Sequence, residues 1–362
     1  MKRILFVTNI PAPYRIDFFN ELGKEYDLTV LFEAKRAAGI RFNWNENSIR
    51  HFRPVFLEEG EIREKKINPA IFRHIDKTYD HIVFTSYGYY TELAALLIRN
   101  LAGKPYYLEF DGCVLRDMGD GIKERLKKRI LSRAAGVFSS GSVTDSFLLH
   151  YGVDPARIHR YPFTSLFARD IASAPSDREE KTSIRRALGI EENRVVFGAG
   201  QFIYRKGFDL LIRAATGFDP DVGVYIAGAE PTKEFIELGK GNPRIHYPGF
   251  LDKETLNAYM RASDLFVLPT REDMWGLVIN EAMGQGLPVI STCGCIGARE
   301  LITDGRNGIL IPTDEVTPII TNVNTLLNDR TRLAEMANES LRSIRGYTVE
   351  QMVRSHKEVF GE

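Results

Sequence analysis

Short apolar runs alternate with helical patterns along the whole chain. This is the pattern of an α/β protein built on parallel sheets, whose strands are buried on both faces. In the first half the runs predict strands at Arg3–Thr8, Leu28–Phe32, His81–Phe84, Tyr106–Phe110 and Gly136–Ser139. Amphipathic helices are predicted at about Arg15–Leu22, Tyr89–Leu101 and Ile122–Arg133. A second series places strands at Arg194–Gly198, Gly223–Ala227, Ile245–Tyr247, Leu265–Pro269, Pro288–Ser291 and Gly308–Ile311. Its helices are expected near Phe208–Ala215, Lys253–Ala262, Leu277–Gln285 and Ala298–Leu301. Between the two series the chain turns polar, with Asp170, Ser173, Pro175, Ser176, Asp177 and the run Glu179-Glu180-Lys181, a linker composition. The expected organisation is a first doubly wound domain over 1–168, a linker over 169–183, a second domain over 184–345, and a C-terminal helix in 346–362 packing back on the first. Two such domains facing each other would hold a ligand in the interdomain cleft, beyond the carboxyl ends of the strands.

Composition narrows the class. The chain has 362 residues, enough for two domains at roughly 100–200 residues each. Lysine plus arginine and aspartate plus glutamate both number 48, so the formal net charge is zero, which argues against a nucleic-acid partner. That neutrality is a sum of unlike parts. Residues 1–168 hold 25 of the basic and 20 of the acidic residues, leaving 23 and 28 for the rest, so the halves carry +5 and −5. The helix from Lys123 to Arg133, with six basic residues against one acidic, accounts for the excess of the first half. Apolar stretches fall well short of the ~18–20 residues that span a bilayer. The start Met1-Lys2-Arg3 followed by Ile4-Leu5-Phe6-Val7 begins like an export signal but meets Asn9 and prolines at once, so it reads as a buried strand. Three cysteines argue against a disulfide framework and for a reducing compartment. Cys293 and Cys295 lack a second Cys or His pair to complete a zinc site and read as two small buried thiols. The seven histidines are scattered and suggest no metal centre.

The stretch Arg271–Ile290 carries the most chemistry. It follows a strand ending in Leu268-Pro269 and opens a helix, so its groups lie at a strand's carboxyl end. Gly276 permits close approach to the backbone, and the amides of Gly276, Leu277 and Val278 sit at the positive helix terminus, a place suited to an anion. Asp273 precedes the helix and Glu281 lies in its second turn, so the two carboxylates can address hydroxyls at opposite ends of one molecule. Taken singly, each has a plainer reading: Asp273 as a helix cap, Glu281 as a solvated face residue.

The stretch closely resembles the signature of the family-4 retaining glycosyltransferases, a Glu and a second Glu eight positions on within a pattern like E-G-F-G-L-V-x-x-E-A-M-A-x-G-x-P-V-I. Gly276-Leu277-Val278, Glu281-Ala282-Met283, Gly286 and Pro288-Val289-Ile290 fall in register. Gly198-Ala199-Gly200-Gln201 through Arg205-Lys206-Gly207 and Leu210-Leu211-Ile212 look like the family's G-R…K-G…L-L-I segment. Tyr225-Ile226-Ala227-Gly228, Pro248-Gly249-Phe250, Ala262–Pro269 and Asp304–Leu310 resemble its L-x-I-A-G, x-G-F/Y, A-D-x-F-V-L-P-S and D-G-x-N-G-x-L motifs. The match runs through nearly all of Val195–Pro312 in the family's order, more specific than a lone glycine motif.

The resemblance implies a GT-B fold of two Rossmann-like domains and a nucleotide-sugar donor, a UDP-sugar, as co-substrate. It implies retention of anomeric configuration, with no cofactor and no metal. In place of a cation, Arg205, Lys206 and the amides of Gly276–Val278 would neutralise the leaving diphosphate. Carried over by position, Glu281 would hold the ribose hydroxyls, Asp273 the donor-sugar hydroxyls, and Phe250 would border the base. Two positions depart from the pattern. Asp273 stands where the family has its first Glu, with Glu272 adjacent, and Gln201 stands where an Arg is usual.

The first half resembles the family more loosely. Asn9-Ile10-Pro11-Ala12-Pro13-Tyr14-Arg15 replaces a glycine-rich loop and looks like the acceptor-side loop of some bacterial polysaccharide glycosyltransferases. Tyr14 and Arg15 are thus acceptor-side or diphosphate candidates, or simply the start of a helix. Asp111, before Gly112, stands where many members show a His before Gly. Two readings of it stay open, a positioning carboxylate near the reacting sugars and an ordinary turn aspartate. The helix bearing Lys123, Arg125, Lys127, Lys128 and Arg129 reads either as a solvated face or as a surface for anionic membrane. The family's acceptors are often polyprenyl-diphosphate-linked glycans at the inner leaflet. The expectation is a cytoplasmic-side enzyme of surface polysaccharide assembly; a sugar-nucleotide epimerase of the same fold and a non-catalytic scaffold are the alternatives.

Overall fold

The structure, a computed structural model, describes residues 1–37, 46–75, 78–115 and 121–361. It divides into two compact units, Met1–Ser165 with Thr348–Glu362, and Leu166–Tyr347.

The first unit is built on a seven-stranded parallel sheet of β1 (Arg3–Thr8), β2 (Asp27–Phe32), β3 (Arg53–Phe56), β4 (His81–Phe84), β5 (Tyr107–Phe110), β6 (Gly136–Ser139) and β7 (Ile158–Arg160), in the order β3-β2-β1-β4-β5-β6-β7. β1 pairs with both β2 and β4 at the centre of the sheet, which is why Ile4, Leu5, Phe6 and Val7 are fully buried. The strands missed from the apolar pattern are those at the two edges. β3 carries Pro54, which an edge strand tolerates, and β7 is only three residues long. The helix Val349–Phe360 belongs to this unit, with the Phe6, Phe18 and Phe138 rings around His356 and the His81 ring stacked on Phe360.

The second unit holds six parallel strands, β8 (Arg194–Ala199), β9 (Val222–Ala227), β10 (Ile245–Gly249), β11 (Leu265–Leu268), β12 (Val289–Thr292) and β13 (Gly308–Ile311), in the order β10-β9-β8-β11-β12-β13. The polar stretch read as a linker is partly helical. Arg178–Leu188 forms a helix that Asp177 caps by accepting the Glu180 amide at 2.8 Å and that Gly189 ends in a left-handed conformation. Its acidic first turn and basic last turn suit the helix dipole, and they explain the charge run. Lys181 and Arg185 each reach Asp264 at 2.8 Å, and Asp264 also accepts the Val195 amide at 2.9 Å, so this helix is bound to the sheet.

In each sheet the chain winds outward from a central pair, β1/β4 in the first unit and β8/β11 in the second. The crevice beyond the carboxyl ends of such a pair is where doubly wound sheets bind ligands. Among the described residues no helix is long and apolar enough to cross a membrane.

Candidate active site

In the second unit the loops that follow β8 and β11 meet at this switch point. The first ends in the turn Tyr204–Lys206 and in Gly207, whose φ of +71° and close approach to the Pro269 carbonyl oxygen leave no room for a Cβ. This approach brings Lys206 onto Asp273, where its ammonium pairs with Oδ2, while Arg205 lies 3.4 Å from Oδ1. Arg205 also donates to the Glu272 carbonyl at 2.8 Å. Asp273 is nearly buried, and its amide donates to the Gly294 carbonyl at 3.0 Å. It does not cap the helix that follows. That helix, Leu277–Gly284, starts at Gly276, with φ +78° and no side-chain cap.

The loop before this helix is pinned by buried contacts. Trp275 donates its indole N–H to Asn280 Oδ1 at 2.9 Å, and Cys295 donates its thiol to the Trp275 carbonyl at 3.0 Å. Burial pushes the Cys295 thiol up to about 12, so it stays protonated as that donor. Cys293 departs from its expected burial: it is exposed, because it begins the turn after β12 while Cys295 turns inward. Leu277, Val278 and Glu281 are half-buried in the first two turns of the helix. Gln201 is exposed beyond β8. Phe250, 69% exposed, follows β10, the edge strand two places from β8, so it lies apart from the Lys206–Asp273 pair.

In the first unit Tyr14, Arg15 and Asp111 converge, with partners that motif reasoning missed. Arg15 bridges Glu109 and Asp111, and His356 places Nε2 2.7 Å from Glu109 Oε2 and Nδ1 2.7 Å from the Met352 carbonyl oxygen. Tyr14 donates to Asp111 Oδ2 at 3.1 Å and Tyr161 to Oδ1 at 3.2 Å. Arg15 is only 4% exposed, and its guanidinium is taken up by the two carboxylates, so it is an internal ion-pair partner and not a cation held out to a ligand. The Asp111 side chain, 27% exposed, reaches solvent where Arg15 and Glu109 do not. Burial raises its pKa above the ordinary aspartate value against the pull of Arg15.

Burial works against ionised Glu109 too, but Arg15 and His356 outweigh it and hold the carboxyl down at about 2. A carboxylate depressed in the fold contributes stability that is present above its unfolded value of 4.5 and lost as pH falls toward 2. Urea unfolding measured across that window is expected to show wild-type protein losing up to about 3 kcal/mol more than Glu109→Gln. Parallel pH profiles for the two proteins would contradict this.

The basic helix is Ile122–Ser132. Its apolar side is not free: Ile130 and Leu131 lie in the core of the unit, and Leu126 packs against it. Lys127 folds onto the unit, donating to Tyr151 at 2.9 Å and to Glu124 at 3.2 Å. Lys123, Arg125, Lys128 and Arg129 are exposed.

Residues 180–342 match the family described as glycosyl transferases group 1. The chain is 29% identical over 196 residues, 50% of its length and 55% of the relative's, to a lipopolysaccharide core biosynthesis mannosyltransferase (LpsB) of Rhizobium meliloti. It is 25% identical over 256 residues, 68% of its length and 65% of the relative's, to the alpha-D-kanosaminyltransferase of Streptomyces kanamyceticus. The chain thus spans about half to two thirds of the length of these curated relatives. In fold it is similar to Anabaena Alr3699/HepE, a structure solved in complex with UDP, with a TM-score of 0.79 at 19% identity over 99% of both chains. Two parallel-sheet α/β units that share the fold of this UDP-bound structure, and a second unit that matches the glycosyl transferases group 1 model from residue 180 to 342, give the chain a GT-B fold with a segment similar to that family.

Proposed function

We propose that the protein transfers a sugar from a nucleotide sugar, a UDP-sugar, to a saccharide acceptor with retention of anomeric configuration. The observation that carries this reading is the convergence of Lys206, Arg205 and Asp273 at the β8/β11 switch point, next to the start of the helix Leu277–Gly284. In the reaction the bond between the anomeric carbon and the diphosphate oxygen breaks, and a bond from an acceptor hydroxyl oxygen to that carbon forms on the same face. The hydroxyl proton passes to the leaving phosphate. Charge grows on the diphosphate as the bond breaks, and Lys206, Arg205 and the amides of Gly276–Val278 are the groups placed to meet it, so we assign no metal or cofactor to the step. A bound diphosphate competes with Asp273 for Lys206, which frees the carboxylate for donor-sugar hydroxyls. Glu281 is assigned to the ribose hydroxyls, Gln201 to the diphosphate side and Phe250 to the edge of the base. Tyr14 and Asp111 are assigned to the acceptor side.

Surface polysaccharide assembly at the inner face of the membrane, with a polyprenyl-diphosphate-linked acceptor, is the setting we propose. The relative in lipopolysaccharide core biosynthesis supports it. The decisive experiment incubates purified protein with radiolabelled nucleotide sugars and a lipid-linked acceptor extract, without added divalent metal, and follows label into lipid. Transfer from a UDP-sugar that Glu281→Ala abolishes supports the proposal, and an anomeric configuration unchanged from donor to product, read by NMR, supports retention. No transfer from any donor overturns it.

The exposed cations of the basic helix are assigned to anionic lipid. Each basic residue near such a surface adds about 1 kcal/mol. Neutralising Lys123, Arg125, Lys128 and Arg129 together is therefore expected to weaken binding to phosphatidylserine-containing vesicles by roughly a thousandfold. Sedimentation with vesicles that does not change would remove the membrane from the proposal.

A further inference from the structure

Arg271 begins the signature stretch, and neither the motif nor the proposed chemistry gives it a task. Its guanidinium is 14% exposed, and each of its three nitrogens donates a hydrogen bond. Nη1 and Nη2 fork onto the Asp209 carboxylate at 2.8 Å each, Nη1 also donates to the Tyr204 carbonyl at 2.7 Å, and Nε donates to Asp314 Oδ1 at 2.7 Å. The guanidinium carbon lies 3.8 Å from the centre of the Tyr204 ring. The backbone adds to this, since the Arg271 amide and the Thr270 hydroxyl both donate to the Arg205 carbonyl at 2.8 Å. One side chain thereby ties together the turn after β8, the first turn of the helix Phe208–Ala214, the loop after β11 and the loop after β13. Asp314 is the one described non-glycine residue in the left-handed region, at φ 66°, a conformation that holds where its surroundings determine it.

The bond to the Tyr204 carbonyl, the stacking on the Tyr204 ring and the two bonds to the Arg205 carbonyl close on the three-residue turn that carries Arg205 and Lys206, while Asp209 and Asp314 hold the guanidinium in place against it. We infer that Arg271 is a positioning residue: it touches no substrate, but it fixes the turn that aims Arg205 and Lys206 at a nucleoside diphosphate. The inference rests on the donor reading given above. A planar fork stacked on a ring and bonded along three edges cannot be reproduced by an ammonium, so lysine at this position keeps the charge and loses the geometry.

The test compares a nucleoside diphosphate with its nucleoside by calorimetry on the full chain, using UDP against uridine, GDP against guanosine and ADP against adenosine. In the wild type the preferred diphosphate binds more tightly than its nucleoside. Arg271→Lys is expected to weaken that diphosphate about tenfold and leave the nucleoside unchanged, because only the phosphates meet the turn. Asp314→Gly removes the Nε bond while keeping a residue at ease in the left-handed region, and is expected to cause a smaller loss in the same direction, which keeps the test available if Arg271→Lys does not fold. Equal loss of diphosphate and nucleoside affinity, the result of general loosening, overturns the inference. So does unchanged diphosphate affinity in both variants. A wild-type protein that gains nothing from the diphosphate over the nucleoside overturns the donor reading itself.

Discussion

Lys206→Ala is expected to lower the rate of sugar transfer by about 10²–10³-fold, the usual cost of removing one preorganised group that meets charge in a transition state. Two losses combine in this variant. The growing charge on the diphosphate loses a half-buried cation, and Asp273, whose side chain is 11% exposed, keeps only Arg205, at 3.4 Å, to offset its charge. Asp273→Asn separates them. If Lys206 served only to neutralise Asp273, the double variant Lys206→Ala/Asp273→Asn would be no slower than Asp273→Asn alone. If Lys206 meets the phosphates, the double variant is slower than Asp273→Asn by much of the factor that Lys206→Ala costs the wild type. Arg205→Ala is expected to cost less, since Arg205 is far more exposed and stands at 3.4 Å from Asp273. Initial rates of label transfer from the UDP-sugar decide the matter. A Lys206→Ala rate within threefold of wild type would sink the assignment.

The largest effect on stability is expected at Arg15. Arg15→Met removes the cation between two carboxylates, one of them fully buried, and leaves Glu109 with His356 alone. Breaking a buried ion pair from one side costs about 3–5 kcal/mol, because the remaining charge stays desolvated. Much of that penalty should return when the stranded charge is removed as well, so Arg15→Met/Glu109→Gln is expected to be less damaged than the two single changes predict together. Urea unfolding of the four proteins closes the cycle. A wild-type-like midpoint for Arg15→Met would show that the cluster contributes little.

Most of the fold was legible because its strands are buried on both faces. A run such as Ile4–Val7 or Val195–Phe197 has one comfortable environment, and its apolar continuity announces it. The failures share a cause as well. Edge strands need less apolar surface, so Arg53–Phe56 and Ile158–Arg160 left no clear run. The helix Arg178–Leu188 has no fully buried residue, and its charged surface read as linker. At the site, the family resemblance pointed to Lys206 and Asp273, yet no local signal said that the two pair with each other across 67 residues. Glu109 was passed over as an interior strand position. Its partner His356 lies 247 residues away on a helix whose own pattern shows only that one face is apolar. Arg15 read as an acceptor-side or diphosphate candidate, or as the start of a helix, and for the same reason nothing local announced that the pair of carboxylates on and just beyond β5 turns it inward.

The first unit is interrupted in sequence by the whole of the second, and this bears on how the molecule is made. Leu166–Tyr347 leaves the ribosome as one continuous stretch that can complete its sheet at once. The earlier unit, although its strands are synthesised first, must wait for Thr348–Phe360 before Phe6, Phe18 and Phe138 are covered and Glu109 meets His356. The order of synthesis and the order of completion are therefore opposite. For the time it takes to translate some 180 residues, the nascent chain carries an aromatic face and a half-paired buried acid that the helix Val349–Phe360 later covers.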